Sequence, residues 1–193
     1  IVAGLDIGTA AVRLVVCEIV KDSKLPRLLA QVKKESRGLR RGYVINFDEA
    51  AGAVGEALKD AERQAKTRIK SVFLGIGGIS LDAKTSDAQI AVARPDLEVS
   101  ANDVKRLLEV SENNLTDFAN RRVLHSIPVQ FKLDGQKVLG QPLGLAGHKL
   151  EARTLFIHCL SQHLNDLVRV VGAAGVAVDD VVAAPLAASF PTL

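Results

Sequence analysis

Methionine and tryptophan are absent from this chain of 193 residues, and tyrosine occurs once. A chain that begins on Ile1, already inside a strand-like run, and holds no Met is expected to have been trimmed at least at its N-terminus. Cysteine is scarce: Cys17 and Cys159 both lie inside apolar runs, where buried free thiols are the expectation rather than a redox role. No apolar run approaches the roughly 18 to 20 residues that cross a bilayer. Nor is there a charged-then-apolar leader with a small-residue cleavage site, so nothing points to secretion. Charge of one sign is also lacking: 25 Lys and Arg face 22 Asp and Glu, and a net +3 is too slight to predict a nucleic-acid partner. What the chain does have is 48% apolar residues, enough for a core and too many for intrinsic disorder.

Residues 1–5 read as a strand ending on Asp6, a turn holds Gly8 and Thr9, and residues 12–19 form a second strand whose only charges are Arg13 and Glu18. A turn at Asp22-Ser23-Lys24 with Pro26 leads to a third run, 27–32. Connections this short favour an antiparallel meander, because a parallel crossover needs roughly a dozen residues or more. Lys33, Lys34, Arg37, Arg40 and Arg41 follow around Gly38 and Gly42; with no aromatics interleaved for base stacking, a solvated loop is expected rather than an anion or nucleic-acid patch.

Asn46 or Asp48 caps the first helix. Its apolar residues Phe47, Ala51, Val54, Leu58, Ala61 and Ala65 recur at helical spacing and leave Lys59, Asp60, Glu62 and Arg63 to water. Residues 71–76 read as a buried strand that Gly77 and Gly78 stop, and the polar stretch 81–99 contains a short edge-strand candidate at 89–93. Ser100 starts a second helix, with Asp103 in a capping-box position and Val104, Leu107, Leu108, Leu115 and Phe118 as its apolar face. Residues 123–133 are extended but interrupted by Pro128, which argues for a bend or an edge, and Asp134-Gly135 signals a turn. A glycine-rich loop at 140–147 precedes a strand at 153–160. Ser161 caps a helix with Leu164, Leu167, Val168 and Val171 inward, ended near Gly175; residues 176–182 are a buried strand and 184–193 open another helix. This order predicts an α/β sheet covered on both faces, with a strand-helix-strand-strand module inserted in it.

Chemistry concentrates at Gly4-Leu5-Asp6-Ile7-Gly8-Thr9. An apolar strand delivers Asp6 at its C-terminal end, and a tight turn with a glycine and a hydroxyl follows at once. Backbone N–H groups at Gly8, Thr9 and Ala10 suit an anion-binding nest. The Asp6 carboxylate suits a water of Mg²⁺, an ion that keeps most of its waters and takes one or two carboxylates. The competing reading is a hairpin turn with a capping Asp. Gly75-Ile76-Gly77-Gly78 does not match the dinucleotide fingerprint and reads as a bend or domain junction, while the absence of a Gly-Lys-Ser/Thr motif excludes a P-loop enzyme. His125, His148, His158 and His163 lack Cys or carboxylate partners at metal-ligand spacing, and neither a nucleophile-elbow serine nor a catalytic cysteine neighbourhood is present.

Short stretches along the chain add to that turn. They are Ser36-Arg37-Gly38-Leu39-Arg40-Arg41-Gly42 with Asn46 and Asp48, Gly75-Ile76-Gly77-Gly78, and Leu124-His125-Ser126-Ile127-Pro128. Then come Leu133-Asp134-Gly135-Gln136, Pro142-Leu143-Gly144-Leu145-Ala146-Gly147, Leu150-Glu151-Ala152, Ala174-Gly175-Val176 and Pro185-Leu186-Ala187-Ala188-Ser189. The Asp6-Gly8-Thr9 turn resembles the first phosphate loop of the actin, heat-shock chaperone and sugar-kinase superfamily. In order and spacing, the whole set resembles the FtsA family of bacterial cell-division actin homologues.

That resemblance implies an α/β fold: an actin-like (ribonuclease H-like) subdomain 1A at 1–78 and 160–193, interrupted at 79–159 by an SHS2-type 1C subdomain. It implies a protein that polymerises, binds ATP with Mg²⁺ and tethers the tubulin-like FtsZ ring to the cytoplasmic face of the inner membrane at the septum. Its partners would be FtsZ, other division proteins and further copies of itself, with no nucleic acid. The membrane would be met through a C-terminal amphipathic helix. That helix, the second phosphate loop, the adenosine motif and subdomains 2A and 2B are not among these residues, so the chain is expected to be an N-terminal half with an incomplete nucleotide site. Carried over by residue, Asp6 faces Mg²⁺ through water and Gly8 and Thr9 contact the terminal phosphates, with Ala10 in the same turn and Arg13 a further phosphate-side candidate. Chaperone-like members place an acidic residue before the helix-start proline to orient the attacking water. Ala184 precedes Pro185 here, so hydrolysis is expected to be slow or absent, and this chain alone is expected to bind ATP weakly or not at all.

Two other classes remain in view. A superfamily kinase or phosphatase would place a catalytic Asp in or beside the insert, but Asp82, Asp87, Asp96, Asp103 and Asp117 have no Gly-rich or apolar setting to raise a pKa. A type IV pilus-assembly actin-like adaptor would share the insert and the first phosphate loop; stretches 36–42 and 142–147 favour division.

Overall fold

The computed structural model describes residues 1–21, 23, 25–116 and 118–190; the expectations for Asp22, Lys24, Asp117 and residues 191–193 lie outside the described residues. The chain divides into two units, one of residues 1–81 and 159–193, the other of residues 82–158.

In the first unit, β1 (Val2–Ile7), β2 (Ala11–Glu18) and β3 (Arg27–Glu35) form the antiparallel meander that their short connections require. β6 (Ser71–Ile76) lies parallel to β1, and β11 (Ala177–Ala183) parallel to β6, giving the order β11-β6-β1-β2-β3. α1 (Phe47–Ala65) and α3 (Ser161–Ala173) lie on the crossovers between the parallel strands. The basic stretch is not a plain loop. Lys33 and Lys34 continue β3, Lys34 pairs with Asp60, and β4 (Leu39–Arg40) and β5 (Tyr43–Val44) form a hairpin.

α1 is capped by Asn46, whose side chain accepts from Glu49 N–H at 3.2 Å, and Asp48 and Glu49 lie where the helix dipole favours acid. Its buried stripe is Ala50, Ala53, Val54, Ala57, Leu58 and Ala61. Relative to the expected face, the stripe is rotated toward the alanines, which let the helix sit close to the sheet. Phe47 is left partly exposed, under the Arg169 guanidinium at 5.3 Å. In α3, Ser161 is the first helical residue rather than a side-chain cap, and His163, Leu167, Val170 and Val171 point inward in place of Leu164 and Val168. α4 (Ala184–Ser189) opens with Pro185 in its first turn, where the missing N–H costs nothing.

The sheet is packed on one face only. Leu5, Leu14, Val16 and Leu74 are buried, while Gly4, Val15 and Phe73 on the alternate positions are exposed, so the expectation of cover on both faces fails for the described residues. Cys159 is buried; Cys17, on the open face, is only half-buried.

The second unit contains β7 (Asp82–Ala91), α2 (Ala101–Asn113), β8 (Arg121–Leu133) and β9 (Gln136–Val138), and most of β10 (Lys149–Leu160), in the sheet order β7-β10-β8-β9. Its core gathers Ala88, Val92, Val99, Leu107, Phe131, Leu133, Leu150 and Ala152. β7 runs well beyond the expected 89–93, paired antiparallel to β10 from Asp82↔His158 to Ala91↔Lys149. Polarity hid it, because as an edge strand it buries only Ser86 and Ala88. Ser100 and Asp103 form the expected capping box, but α2 ends at Asn113, leaving Leu115 and Phe118 beyond it. β8 is continuous through Pro128, and β9 pairs only with Phe131, Lys132 and Leu133, so the proline sits where β9 asks for no N–H. Asp134 (φ +50°) and Gly135 (φ +82°) make a two-residue turn of left-handed backbone.

Candidate functional site

β1 ends on Asp6, flanked in register by Arg13 of β2 and Gly75 of β6. Arg13 Nη1 donates to Asp6 Oδ2 at 2.9 Å, both side chains being substantially exposed. The turn that follows is closed by Gly8 N–H donating to Ala11 O at 3.1 Å. Thr9 Oγ1 accepts from Gly42 N–H at 2.8 Å, which ties the turn to the β4–β5 hairpin. Between them opens a cavity of about 570 Å³, walled by Asp6, Ile7, Gly8 and Thr9 on one side, Arg41 and Gly42 on another, and Gly77, Gly78 and Ile79 on a third.

Three of the five residues expected at the site, Asp6, Gly8 and Thr9, thus line one cavity. Ala10 belongs to the turn but not to the wall, and Arg13 is engaged with Asp6. The expected nest is smaller than three N–H groups, because the turn itself uses that of Gly8.

The second and third walls were not foreseen. Their signal was a pair of glycines, Gly42 and Gly78, each with left-handed backbone. Gly42 (φ +88°) and Gly78 (φ +91°) sit so close that a Cβ on Gly42 would lie 3.4 Å from Gly78 Cα. Behind Gly42 lies His163, 2% exposed, whose Nδ1 hydrogen-bonds to the buried Ser80 Oγ and whose ring tilts against Tyr43 at 5.1 Å between centroids. Burial pushes the His163 pKa down, opposed by the Gly42 backbone and by Asp166. A Cβ on Gly77 would meet the Ala184 methyl at 3.8 Å, so the residue before Pro185 lies beside this wall.

The second unit has its own cavity of about 470 Å³, where Arg153 Nε and Nη2 each donate to Asp87 at 2.9 Å. Arg153 holds the Asp87 carboxyl below its ordinary range, the Glu98 N–H does so for Asp96, and the Ser100 hydroxyl for Asp103. A general base needs the opposite shift, toward neutrality, so these carboxylates are poor candidates for proton abstraction. Among the described residues no group of three or more metal-ligating side chains occurs. Asp6 alone offers a carboxylate in the first cavity, a donor set that fits Mg²⁺ held through water and not a dehydrated transition metal.

Residues 78–158 match the family model described as the SHS2 domain inserted in FtsA. Over 192 residues, all of this chain, the sequence is 31% identical to the cell division protein FtsA of Pseudomonas aeruginosa. The FtsA of Borreliella burgdorferi is likewise 31% identical over 193 residues. The chain is FtsA-like over its whole length. It spans 45% and 46% of those two relatives. A solved PilM-PilN type IV pilus biogenesis complex has the same fold, with a TM-score of 0.65 over 99% of this chain and 49% of that one, at 15% identity. The chain therefore has an α/β fold shared with that complex, and its second unit matches an SHS2 domain of the kind inserted in FtsA. No helix among its described residues is long and apolar enough to cross a membrane.

Proposed function

We propose that the chain is part of an actin-like cell-division protein, in which it supplies the first phosphate loop of an ATP and Mg²⁺ site. The observation that carries this reading is the Asp6–Thr9 turn opening into its cavity within a chain that is FtsA-like throughout. Asp6 would hold a water of Mg²⁺, an ion that would offset phosphate charge, and Thr9 and Ala10 would offer N–H groups to phosphate oxygens. Arg13, which donates to Asp6, is a further phosphate-side candidate whose guanidinium would offer N–H donors to phosphate oxygens. The Ala184 methyl can neither accept a proton nor hold a water, which supports nucleotide as a conformational ligand rather than a rapidly hydrolysed one. Subdomain 1A at 1–78 and 160–193 carries this half-site, and subdomain 1C at 79–159 contacts neighbouring subunits or later division proteins. In the whole protein, filaments bind ATP and tether FtsZ to the cytoplasmic membrane at the septum.

The fold likeness to the PilM-PilN complex gives a pilus adaptor a place as second reading, and the twofold higher identity to FtsA weighs against it. The whole protein that carries this chain, fluorescently tagged in dividing bacteria, tests the choice. A midcell band at constricting septa is expected; fluorescence indifferent to the septum contradicts the division reading.

A further inference from the structure

We infer that the end of the first-unit sheet remote from the Asp6–Thr9 turn is a contact surface for an anionic bilayer. The β2–β3 hairpin inserts aliphatic side chains among the lipids, and the basic α1–β6 connection binds their headgroups. This is independent of the nucleotide reading, which concerns the other end of the strands.

The sheet brings the two segments together. β6 lies parallel to β1 with Phe73 opposite Gly4, so both strands start at the same end, Val2 opening β1 and Ser71 following the connection at 66–70. Val2 faces Cys17 near the end of β2, and Cys17 faces Leu28 near the start of β3. With neighbouring strands about 4.8 Å apart, three steps place the connection roughly 15 Å from the hairpin.

The hairpin leaves an unusual amount of aliphatic surface in water. Ile19 is 70% exposed, Leu25 77% and Leu28 56%, with Val20 at 38%. Ser23 ties the segment together, its N–H donating to Val20 O at 3.2 Å and its hydroxyl to Leu25 O at 2.7 Å. Exposed aliphatic residues scattered singly need no explanation, whereas a cluster marks a contact site. These four line neither of the two cavities. They project from a hairpin and offer a protein partner no pocket in which to seat the side chains that anchor protein interfaces. A bilayer needs no pocket, because it buries aliphatic groups at the boundary between headgroups and acyl chains.

Charge selects the kind of bilayer. Lys21 on the hairpin and Lys66, Arg68 and Lys70 on the connection are exposed and form no salt bridge among the described residues. Of the acids at this end, Glu18 is offset by Arg27, and the Glu62 carboxylate accepts from Ile69 N–H at 2.8 Å. Asp179 accepts from the Ser71 hydroxyl at 2.6 Å, and Asp180 lies further in, opposite Phe73. In the sequence, the charges of Asp22 and Lys24 cancel. Aliphatic groups beside unpaired Lys and Arg suit anionic lipid, and each cation near such a surface strengthens binding about fivefold.

The test is flotation of the 193-residue chain with vesicles of phosphatidylcholine alone, or with one lipid in three replaced by phosphatidylglycerol. Binding to the anionic vesicles is expected, at least about tenfold tighter than to phosphatidylcholine. Lys21→Gln, Arg68→Gln and Lys70→Gln together are expected to weaken it about a hundredfold, and Ile19→Ser with Leu25→Ser about tenfold or more. Circular dichroism in solution reports whether each chain folds. If the chain does not, hydrogen exchange of the whole protein that carries it decides. Segments 18–28 and 66–71 are then expected to gain protection with anionic vesicles and not with phosphatidylcholine. No binding by the folded chain, equal binding to both vesicles, or unchanged exchange in both segments overturns the inference. Undiminished binding by the folded glutamine variant overturns the role of the cations. Binding that needs the cations but ignores the serine substitutions overturns insertion, and describes a surface that an acidic protein would use.

Discussion

The N–H of Gly42 donates to Thr9 Oγ1 across 2.8 Å, joining two loops that lie 33 residues apart in the chain. This bond makes the hairpin a wall of the cavity at the Asp6–Thr9 turn. Thr9→Val keeps the side-chain shape and removes the acceptor. The Gly42 amide is then expected to exchange with solvent about fivefold faster, the change that corresponds to one hydrogen bond of about 1 kcal/mol. Native-state hydrogen exchange reads this directly, and unchanged Gly42 protection would mean that the hairpin is held by other contacts.

Gly38 marks the start of that hairpin segment. Its φ is +74°, and a Cβ there would lie 2.2 Å from Asn46 O and 2.8 Å from Ala50 N, backbone atoms that cannot swing aside. Its carbonyl accepts from the N–H groups of both Ile45 and Asn46. Gly38→Ala is expected to cost about 2 kcal/mol or more, through a strained φ together with a backbone clash at the α1 cap. Urea unfolding followed by signals of the first unit measures it.

Two buried histidines set a pH dependence. His158 and His163 are each 2% exposed, and burial holds both below their ordinary 6.5. Arg121, whose Nη1 lies 3.0 Å from Nδ1, and Lys84 push His158 further down, while Asp82 opposes them. As pH falls through 6.5 the unfolded chain takes up protons that the folded chain refuses. Stability is therefore full above 6.5 and declines below it, by about 1.4 kcal/mol per pH unit for each histidine, until the folded pKa values are reached. The aspartates held low by their partners act in a separate window, below their ordinary 3.8. Urea midpoints between about pH 7.5 and 5 are expected to show the decline. His163→Gln should remove one proton's share of the slope, and a flat profile would contradict the buried, neutral state of both rings.

Thr154 sits in β10 with no exposed surface, and its Oγ1 has no hydrogen-bond partner among the described residues. Thr154→Val removes an unsatisfied hydroxyl while keeping a β-branched side chain in a strand. The second unit is expected to gain about 1 kcal/mol, measured by its unfolding midpoint.

The sequence was most readable where local chemistry and packing agree. The meander of β1 to β3, the cap of α1 (Asn46 of the two candidates, with Asp48 inside the first turn), the Ser100–Asp103 box and the Asp134-Gly135 turn each follow from short-range rules, and each is present. β7 was shortened because an edge strand has one solvated face and so lacks the apolar alternation of a buried one. At the site, Asp6, Gly8 and Thr9 are close in sequence and were legible together. Arg41 and the Gly77-Gly78 pair reach the same cavity only through the sheet order and the Gly42–Thr9 bond, long-range facts that no local spacing encodes. His163 is absent from the expected inward face of α3, because the spacing of leucines and valines sets that face one step away from the true one.

The central claim is that the Asp6–Thr9 turn receives the metal-bound phosphates of ATP. Replacing Mg²⁺ by paramagnetic Mn²⁺ in an ATP titration tests it most directly, because amide signals broaden according to their distance from the ion. The account predicts selective loss of the Asp6, Gly8 and Thr9 amide signals, with those of Arg41, Gly42, Gly77 and Gly78 next, and no effect of Mn²⁺ without ATP at the same concentration. Broadening centred on the Asp87–Arg153 cavity of the second unit, or spread evenly over surface carboxylates, would contradict it.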